Sequence, residues 1–203
     1  MANVNRPAGL VPVQYLNGAP WNSGGRVYCI PDSDDTNAYA IGDPVAYAGS
    51  SDSQGVATIT LATAGTNNPV LGCIVAGAGA LNYGGMYGVP ADSPIVIPAV
   101  KSRNYYVLVA DDPNIVFEIQ EEATGSAFTA AEVGLNANLV AGTNNGYVSG
   151  WQVDRTSPAV TATLQLRLLG LAQLPGGTNE FGDYAKWWVL INNHSYRIGQ
   201  AGI

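Results

Sequence analysis

The segment 105–120 constrains the fold more than any other part of the chain, because it contains two strand-like runs separated by turn residues. Residues 105–109 are apolar on both faces of a pleat, which is typical of a strand buried on both sides. In Asp112-Pro113-Asn114 the aspartate can hydrogen-bond its own backbone, and the proline presets φ for a type I turn. The sequence therefore predicts a hairpin whose register is fixed by this turn.

The second run of this segment has two different faces, since apolar and polar residues alternate along it. One face is made of Ile115, Phe117 and Ile119, and the other of Val116, Glu118 and Gln120. We expect the first face to meet the core. The second is a candidate docking face for a partner or for the arm of a neighbouring molecule.

Short strand-like runs separated by glycine- and proline-rich turns recur along the chain. The clearest alternation, at 160–168, predicts a long half-buried strand with Gln165 and Arg167 on its polar face. Helical character is confined to Thr129-Ala130-Ala131-Glu132, which has the spacing of a capping box. We therefore predict an all-β fold with very little helix. Its body is a β-sandwich or β-barrel, either jelly-roll-like or made of two small barrel-like halves.

Residues 1–24 differ from the rest, because they contain three prolines and no helical period. They are predicted to form an extended N-terminal arm, and 25–203 an all-β body in which a subdivision near 99–104 stays open. At about 3.3 Å per residue, such an arm spans on the order of 65 Å and could reach a neighbouring molecule. Alternatively, it lies along its own domain as an edge strand. The residues predicted to contact a partner are Arg6, Pro7, Leu10, Val11, Tyr15 and Trp21.

Charged residues are scarce, at 11% of the chain against roughly 25% in a typical soluble domain. Either much of the surface is covered by other protein, or the chain is a neutral, turn-rich β protein. The net charge of −7 and the scattered basic residues argue against a nucleic-acid partner. No apolar run is long enough for a membrane span or a signal peptide, so we expect the protein to stay in the cytoplasm of the cell that makes it.

The residues capable of chemistry do not form a recognisable catalytic pattern, so we predict that the protein is not an enzyme and needs no cofactor or metal. His194 is the only histidine and lies in a turn-like stretch, where we expect it to be solvated. Asp32, Asp34 and Asp35 lack the glycine and glutamate of an EF-hand loop and are interpreted as a solvated acidic turn. Cys29 and Cys73 lie in strand-like surroundings and are predicted to be buried, reduced thiols.

Some residues of the sequence are compatible with two functions other than a structural role. Trp187, Trp188, Tyr105 and Tyr106 could line a sugar-binding groove, although each pair straddles a strand and one member of each is expected in the core. Glycoside hydrolysis would need paired carboxylates, but neighbours such as Asp111 and Asp112 point to opposite faces of a strand.

Several stretches resemble virion structural proteins that tailed bacteriophages encode near their major capsid protein. These stretches are Asn5-Arg6-Pro7-Ala8-Gly9-Leu10-Val11-Pro12-Val13, Tyr15-Leu16-Asn17-Gly18-Ala19-Pro20-Trp21, 109–114, 133–138, 182–186 and 191–194. Separately, Ile41-Gly42-Asp43-Pro44-Val45 followed by 70–75 looks like the small β-barrel pattern of capsid decoration proteins.

This resemblance implies a decoration or cement protein that binds the outside of a phage head. Its partner would be the major capsid protein, and it would form a trimer or dimer. The family offers no catalytic residues to carry over. A phage tail or surface module that binds host carbohydrate is the alternative.

Overall fold

The computed structural model describes residues 3–77, 96–173 and 177–197, and it confirms the all-β prediction. A 3₁₀ turn lies at Ala130–Glu132, where the predicted capping box forms: the Thr129 N–H donates to Glu132 Oε2 at 2.6 Å. The strands are β1 Val11–Tyr15, β2 Arg26–Ile30, β3 Pro44–Ser51, β4 Ala57–Leu61, β5 Gly72–Gly77, β6 Tyr105–Ala110, β7 Ile115–Gln120, β8 Asn136–Ala137, β9 Leu139–Val140, β10 Gln152–Val153, β11 Leu166–Leu171 and β12 Lys186–Ile191.

The strands form a small closed barrel and an open sheet. The barrel has the order β2-β4-β3-β5-β6, and the five-stranded sheet has the order β1-β7-β12-β11-β8. A short ribbon of β9 and β10 accompanies the sheet. The five barrel strands therefore all lie between residues 26 and 110, whereas the open sheet is built from β1 and from strands that follow residue 114.

The prediction of a hairpin at 105–120 is wrong, because its two strands do not pair with each other. Both strands and the turn between them do form. The Asn114 N–H donates to Asp112 Oδ1 at 2.8 Å, as expected for this turn. However, β6 pairs with β2 and β5, whereas β7 pairs with β1 and β12. Turn chemistry acts only on neighbouring residues and does not choose the partner of a strand. The change from barrel strands to sheet strands falls at 111–114.

The described residues form two large apolar clusters and a smaller third one. One lies inside the barrel and includes Ile59, Leu71 and Val109. The larger one packs the inner face of the sheet, including Phe117 and Trp187, against residues from the barrel half such as Val70, Cys73 and Ala110. The predicted core face of β7 is confirmed, since all three of its residues belong to this cluster. The barrel and the sheet therefore share a core.

The strand predicted at 160–168 begins later, at Leu166, and Gln165 is fully buried instead of facing solvent. Its Oε1 accepts from the N–H groups of Gly65 and Leu139, at 3.0 and 3.1 Å. Its Nε2 donates to the carbonyls of Thr63 and Asn68, at 2.9 and 3.0 Å. This amide joins the loop that follows β4 to the sheet and satisfies four backbone groups.

We expect Gln165→Met, which keeps the length of the side chain, to lower the free energy of unfolding by roughly 3 kcal/mol or more. The reason is that each buried polar group left without a partner costs about 1–3 kcal/mol. Urea unfolding measures the difference. Gln173→Met is the matched control, because Gln173 is exposed and makes one hydrogen bond at 3.3 Å. Equal effects of the two substitutions would contradict the role given to Gln165.

Candidate functional site

The N-terminal arm lies on its own body, which is the second of the two arrangements considered from the sequence. Strand β1 pairs with β7 at one edge of the five-stranded sheet. On its other side, the Trp21 N–H donates to the Val13 carbonyl at 3.1 Å and the Tyr15 N–H donates to the Ala19 carbonyl at 2.8 Å. The arm is therefore a fixed part of the molecular surface.

The arm crosses the barrel at a point where its backbone packs closely against the backbone at Gly42. The Leu10 N–H donates to the Gly42 carbonyl at 2.9 Å. Gly9 and Gly42 both have positive φ, and a Cβ at Gly42 would lie 1.9 Å from the Ala8 carbonyl oxygen. Only glycine fits such a position without displacing the neighbouring backbone. Leu10 is held in the main core by this crossing, with 1% of its surface exposed.

The first residues of the arm are held by side-chain amides. Gln120 donates from Nε2 to the Val4 carbonyl at 2.9 Å and accepts from the Arg6 N–H at 3.0 Å. Asn3 donates from Nδ2 to the Glu180 carbonyl at 2.7 Å. Gln120 belongs to the face of β7 that the sequence suggested as a docking face, and in this structure the chain's own arm occupies that position.

The predicted contact residues therefore have different environments. Arg6 and Val11 are exposed, and Pro7, Tyr15 and Trp21 are partly buried. The prediction that Leu10 contacts a partner does not fit this conformation, because Leu10 lies in the core and is not available to a partner. Val4 and Leu16 are more exposed than Val11, at 63% and 55% against 40%. We call the exposed set Val4, Arg6, Val11 and Leu16 the arm surface.

A groove of about 470 Å³ lies beside the arm, at the turn between β6 and β7. A second cavity shares the lining residues Tyr15, Asp112 and Asn114 with this groove. The Arg26 side chain, which is 71% exposed, and the hydroxyphenyl ring of Tyr196 complete the wall. The groove combines aromatic and polar side chains, which suits a small polar ligand.

The Asp111 carboxylate at this groove is held by a tyrosine network that the sequence did not reveal. Its Oδ2 accepts from the hydroxyls of Tyr28, at 2.7 Å, and Tyr196, at 3.2 Å, and lies 3.6 Å from Arg26 Nε. The hydroxyls of Tyr47 and Tyr196 are 2.7 Å apart. Burial, together with hydrogen bonding to Tyr47, raises the pKa of Tyr196 to about 12, so the phenol stays protonated. This network binds the barrel to the end of the described chain.

The residues considered for a sugar groove do not line one. Trp187 is fully buried and donates from Nε1 to Glu121 Oε2 at 3.0 Å. Tyr105 and Tyr106 are 9% and 8% exposed, and only Trp188 of the four is partly exposed. Strand β6 is covered on both faces, which is why both tyrosines are buried.

Glu121 is a buried carboxylate next to a buried cation. Burial raises its pKa to about 7, although Arg155, whose Nε lies 3.6 Å from Glu121 Oε1, opposes that shift. Arg155 also contacts Asp183 at 2.9 Å, so its charge is paired whether or not Glu121 is ionised. We interpret the ion pairs of Glu121, Arg155 and Asp183 as a structural link that connects the end of β7 to the loop before β12.

The prediction that His194 is solvated is wrong, since only 2% of its surface is exposed. Its backbone bridges to Val70, which pulls the residue between the barrel and the sheet. Nδ1 accepts from the Tyr196 N–H at 3.0 Å. Burial lowers the pKa of His194 to about 4, and the nearby Arg197 adds to this effect, whereas Asp112 and the Asp111 backbone oppose it. The imidazole is therefore neutral at physiological pH.

We expect His194 to contribute a loss of stability as the pH is lowered from about 6.5 to about 4. Between these values the unfolded chain protonates this histidine and the folded chain does not, so acid favours unfolding. His194→Asn, whose side-chain oxygen can still accept from Tyr196, should reduce the slope. Glu121 contributes the opposite slope, but it is present in both proteins and cancels in the difference. Urea unfolding at several pH values measures this, and identical slopes would contradict the assignment.

The acidic turn after β2 is not fully solvated, because Lys101 reaches into it. Lys101 Nζ donates to the carbonyls of Asn37, Ala99 and Asp34. Among the described residues, no three His, Cys, Asp or Glu side chains are grouped so that they could hold a metal ion. Cys29 and Cys73 are free and buried, as predicted, and belong to separate apolar clusters.

Comparison with protein families, with curated proteins and with solved structures finds no match to this chain. Within the described part of the chain, no helix has the length and apolar character needed to span a bilayer.

Proposed function

We propose that this chain is a non-enzymatic capsid decoration protein that binds the outer surface of a phage head and stabilises contacts between subunits of the major capsid protein. The observation that carries the proposal is the arm surface. Val4, Val11 and Leu16 remain exposed on a segment that is otherwise fixed by backbone hydrogen bonds and by Leu10 in the core. A partner that covers these side chains does not need to order the arm first.

The composition and the resemblance described above agree with this role. With 11% charged residues, the chain has few groups that would lose hydration in an extended interface. Burial of apolar surface contributes roughly 25 cal/mol per Å², and the contribution is repeated at each site of a lattice. The protein would be a trimer or dimer, assembled in the host cytoplasm and carried in the virion.

The test uses shells assembled from the major capsid protein of the same phage. We expect the double substitution Val11→Asp and Leu16→Asp to weaken binding at least tenfold, because each side chain contributes about 1.5–3 kcal/mol when it is buried. Co-sedimentation with the shells measures binding. Val133→Asp and Val160→Asp form the matched control, since these residues are 42% and 57% exposed and lie near β11 and the β8 edge, away from β1. If the arm variant binds the shells as tightly as the wild-type protein, the proposed role of the arm is refuted. If the arm variant and the control variant lose the same affinity, the contact is not specific to the arm surface.

A second candidate, a tail or surface module for host carbohydrate, is favoured by the groove beside the arm and not by the tryptophans. Sugars bind to aromatic rings flanked by polar side chains, and Tyr15, Arg26, Asn114 and Tyr196 supply both.

If this candidate is right, the isolated protein should bind neutral oligosaccharides on a glycan array. Arg26→Ala should abolish binding, since its guanidinium lines the groove. Arg103→Ala should not, because Arg103 stacks on Tyr105, a residue that does not line the groove. A wild-type protein that binds no glycan would exclude this function.

A further inference from the structure

Two asparagines in this chain are followed directly by glycine, in Asn17-Gly18 and Asn145-Gly146. The two dipeptides form a matched pair, because all four residues are exposed and both glycines have positive φ, at 85° and 88°. A Cβ added to either glycine would meet nothing within 4 Å. Access of solvent and steric hindrance therefore do not distinguish the two sites.

The backbone nitrogen of a glycine that follows asparagine can attack the side-chain carbon Cγ and close a five-membered ring, because glycine has no side chain to obstruct the approach. At both sites the asparagine Oδ1 accepts from the backbone N–H two residues further on, Ala19 at one and Tyr147 at the other, each at 3.0 Å. This hydrogen bond folds the asparagine side chain back toward the glycine peptide unit. The two sites therefore share the starting arrangement for ring closure.

The sites differ in the hydrogen bond that the glycine nitrogen makes. The Gly18 N–H donates to the Tyr15 carbonyl at 2.8 Å, and the Tyr15 N–H donates to the Ala19 carbonyl at 2.8 Å, so backbone bonds close this turn. Attack by the Gly18 nitrogen requires the first of these bonds to break. The Gly146 N–H donates instead to a side chain, Asn144 Oδ1, at 3.1 Å. A side chain can rotate away without any change in the backbone.

The sites also differ in the environment of the asparagine carbonyl oxygen. Asn145 Oδ1 accepts from the Val148 N–H at 3.0 Å in addition to that of Tyr147. Asn17 Oδ1 has one backbone donor among the described residues. Negative charge develops on this oxygen when Cγ becomes tetrahedral, and two fixed N–H donors stabilise that charge as in an oxyanion hole. The loop that contains Asn145 therefore favours the reaction.

We propose that Asn145 is a site of spontaneous deamidation and that Asn17, in the same dipeptide, is protected by the fold. The Gly146 nitrogen loses its proton to hydroxide and forms a bond to Cγ of Asn145. The bond from Cγ to Nδ2 breaks, and the nitrogen leaves as ammonia with a proton taken from water. Water then opens the succinimide ring at either carbonyl, which gives aspartate or isoaspartate. One carboxamide and one water become one carboxylate and one ammonium ion.

The modification changes the place where the arm meets a loop of the body. Asn145 lines a cavity of about 500 Å³ that Arg6, Pro7 and Ala8 of the arm also line. The reaction replaces a neutral side chain of this cavity with a negatively charged one, and the isoaspartate form also lengthens the backbone of the loop. This chemistry needs no enzyme and does not depend on capsid binding.

Peptide mapping of the full-length protein during incubation at mildly alkaline pH tests the proposal. We expect Asn145 to be converted roughly tenfold faster than Asn17 or more, because its carbonyl oxygen has two fixed donors. Isoaspartate should be among the products, since it forms through the succinimide. In guanidinium chloride the two sites should react at similar rates, because unfolding removes the hydrogen bonds that distinguish them.

Asn145→Gln is the control for the assignment, because the larger ring that glutamine would form closes slowly. This variant should show no product at position 145 and an unchanged rate at Asn17. The proposal is overturned if the ratio of the two rates is no larger in the folded protein than in guanidinium chloride. It is also overturned if Asn145 stays intact in the folded protein, or if its product is aspartate alone.

Discussion

The structure depends on hydrogen bonding across the boundary between the barrel and the sheet. The two halves share an apolar core, so the backbone groups of the loops between them are removed from water and need partners. Gln165 satisfies four such groups with one side chain. Backbone bonds do the rest: Val70 donates to the Asn193 carbonyl at 2.9 Å, and Ser149 donates to that of Ile41 at 2.8 Å. Apolar packing brings the halves together, and these bonds fix how they meet.

The N-terminal arm is the third element of this assembly. It crosses the barrel at Gly42, places Leu10 in the core and ends as the edge strand β1. Both edges of the five-stranded sheet carry further hydrogen bonds, from residues 19–21 at β1 and from Ala159 at β8. Edges covered in this way do not invite another strand to add. A partner at the arm would therefore bind through side chains, which is the reason for locating the proposed contact in Val4, Val11 and Leu16.

Much of the secondary structure followed from the sequence. Alternation and β-branched residues located most strands, and the capping box at Thr129 and Glu132 forms as its spacing predicted. The errors concern residues whose surroundings come from distant parts of the chain. Asp112-Pro113-Asn114 forms the expected turn but connects two different sheets. His194 looked like a solvated turn residue, yet a bridge to Val70 buries it.

In the candidate sites, too, the sequence predicted the local features and missed those that depend on contacts between distant residues. The sequence identified the arm and its apolar residues, because proline content and hydrophobicity are local properties. It did not show that Leu10 is internal while Leu16 is exposed, or that Asp111 accepts hydrogen bonds from the hydroxyls of Tyr28 and Tyr196. By itself, the sequence determined the all-β composition, the doubly buried strand β6 and the turns, which depend on neighbouring residues. Strand partners, the burial of polar groups and the contents of each site were decided only by the tertiary structure, because they depend on long-range contacts.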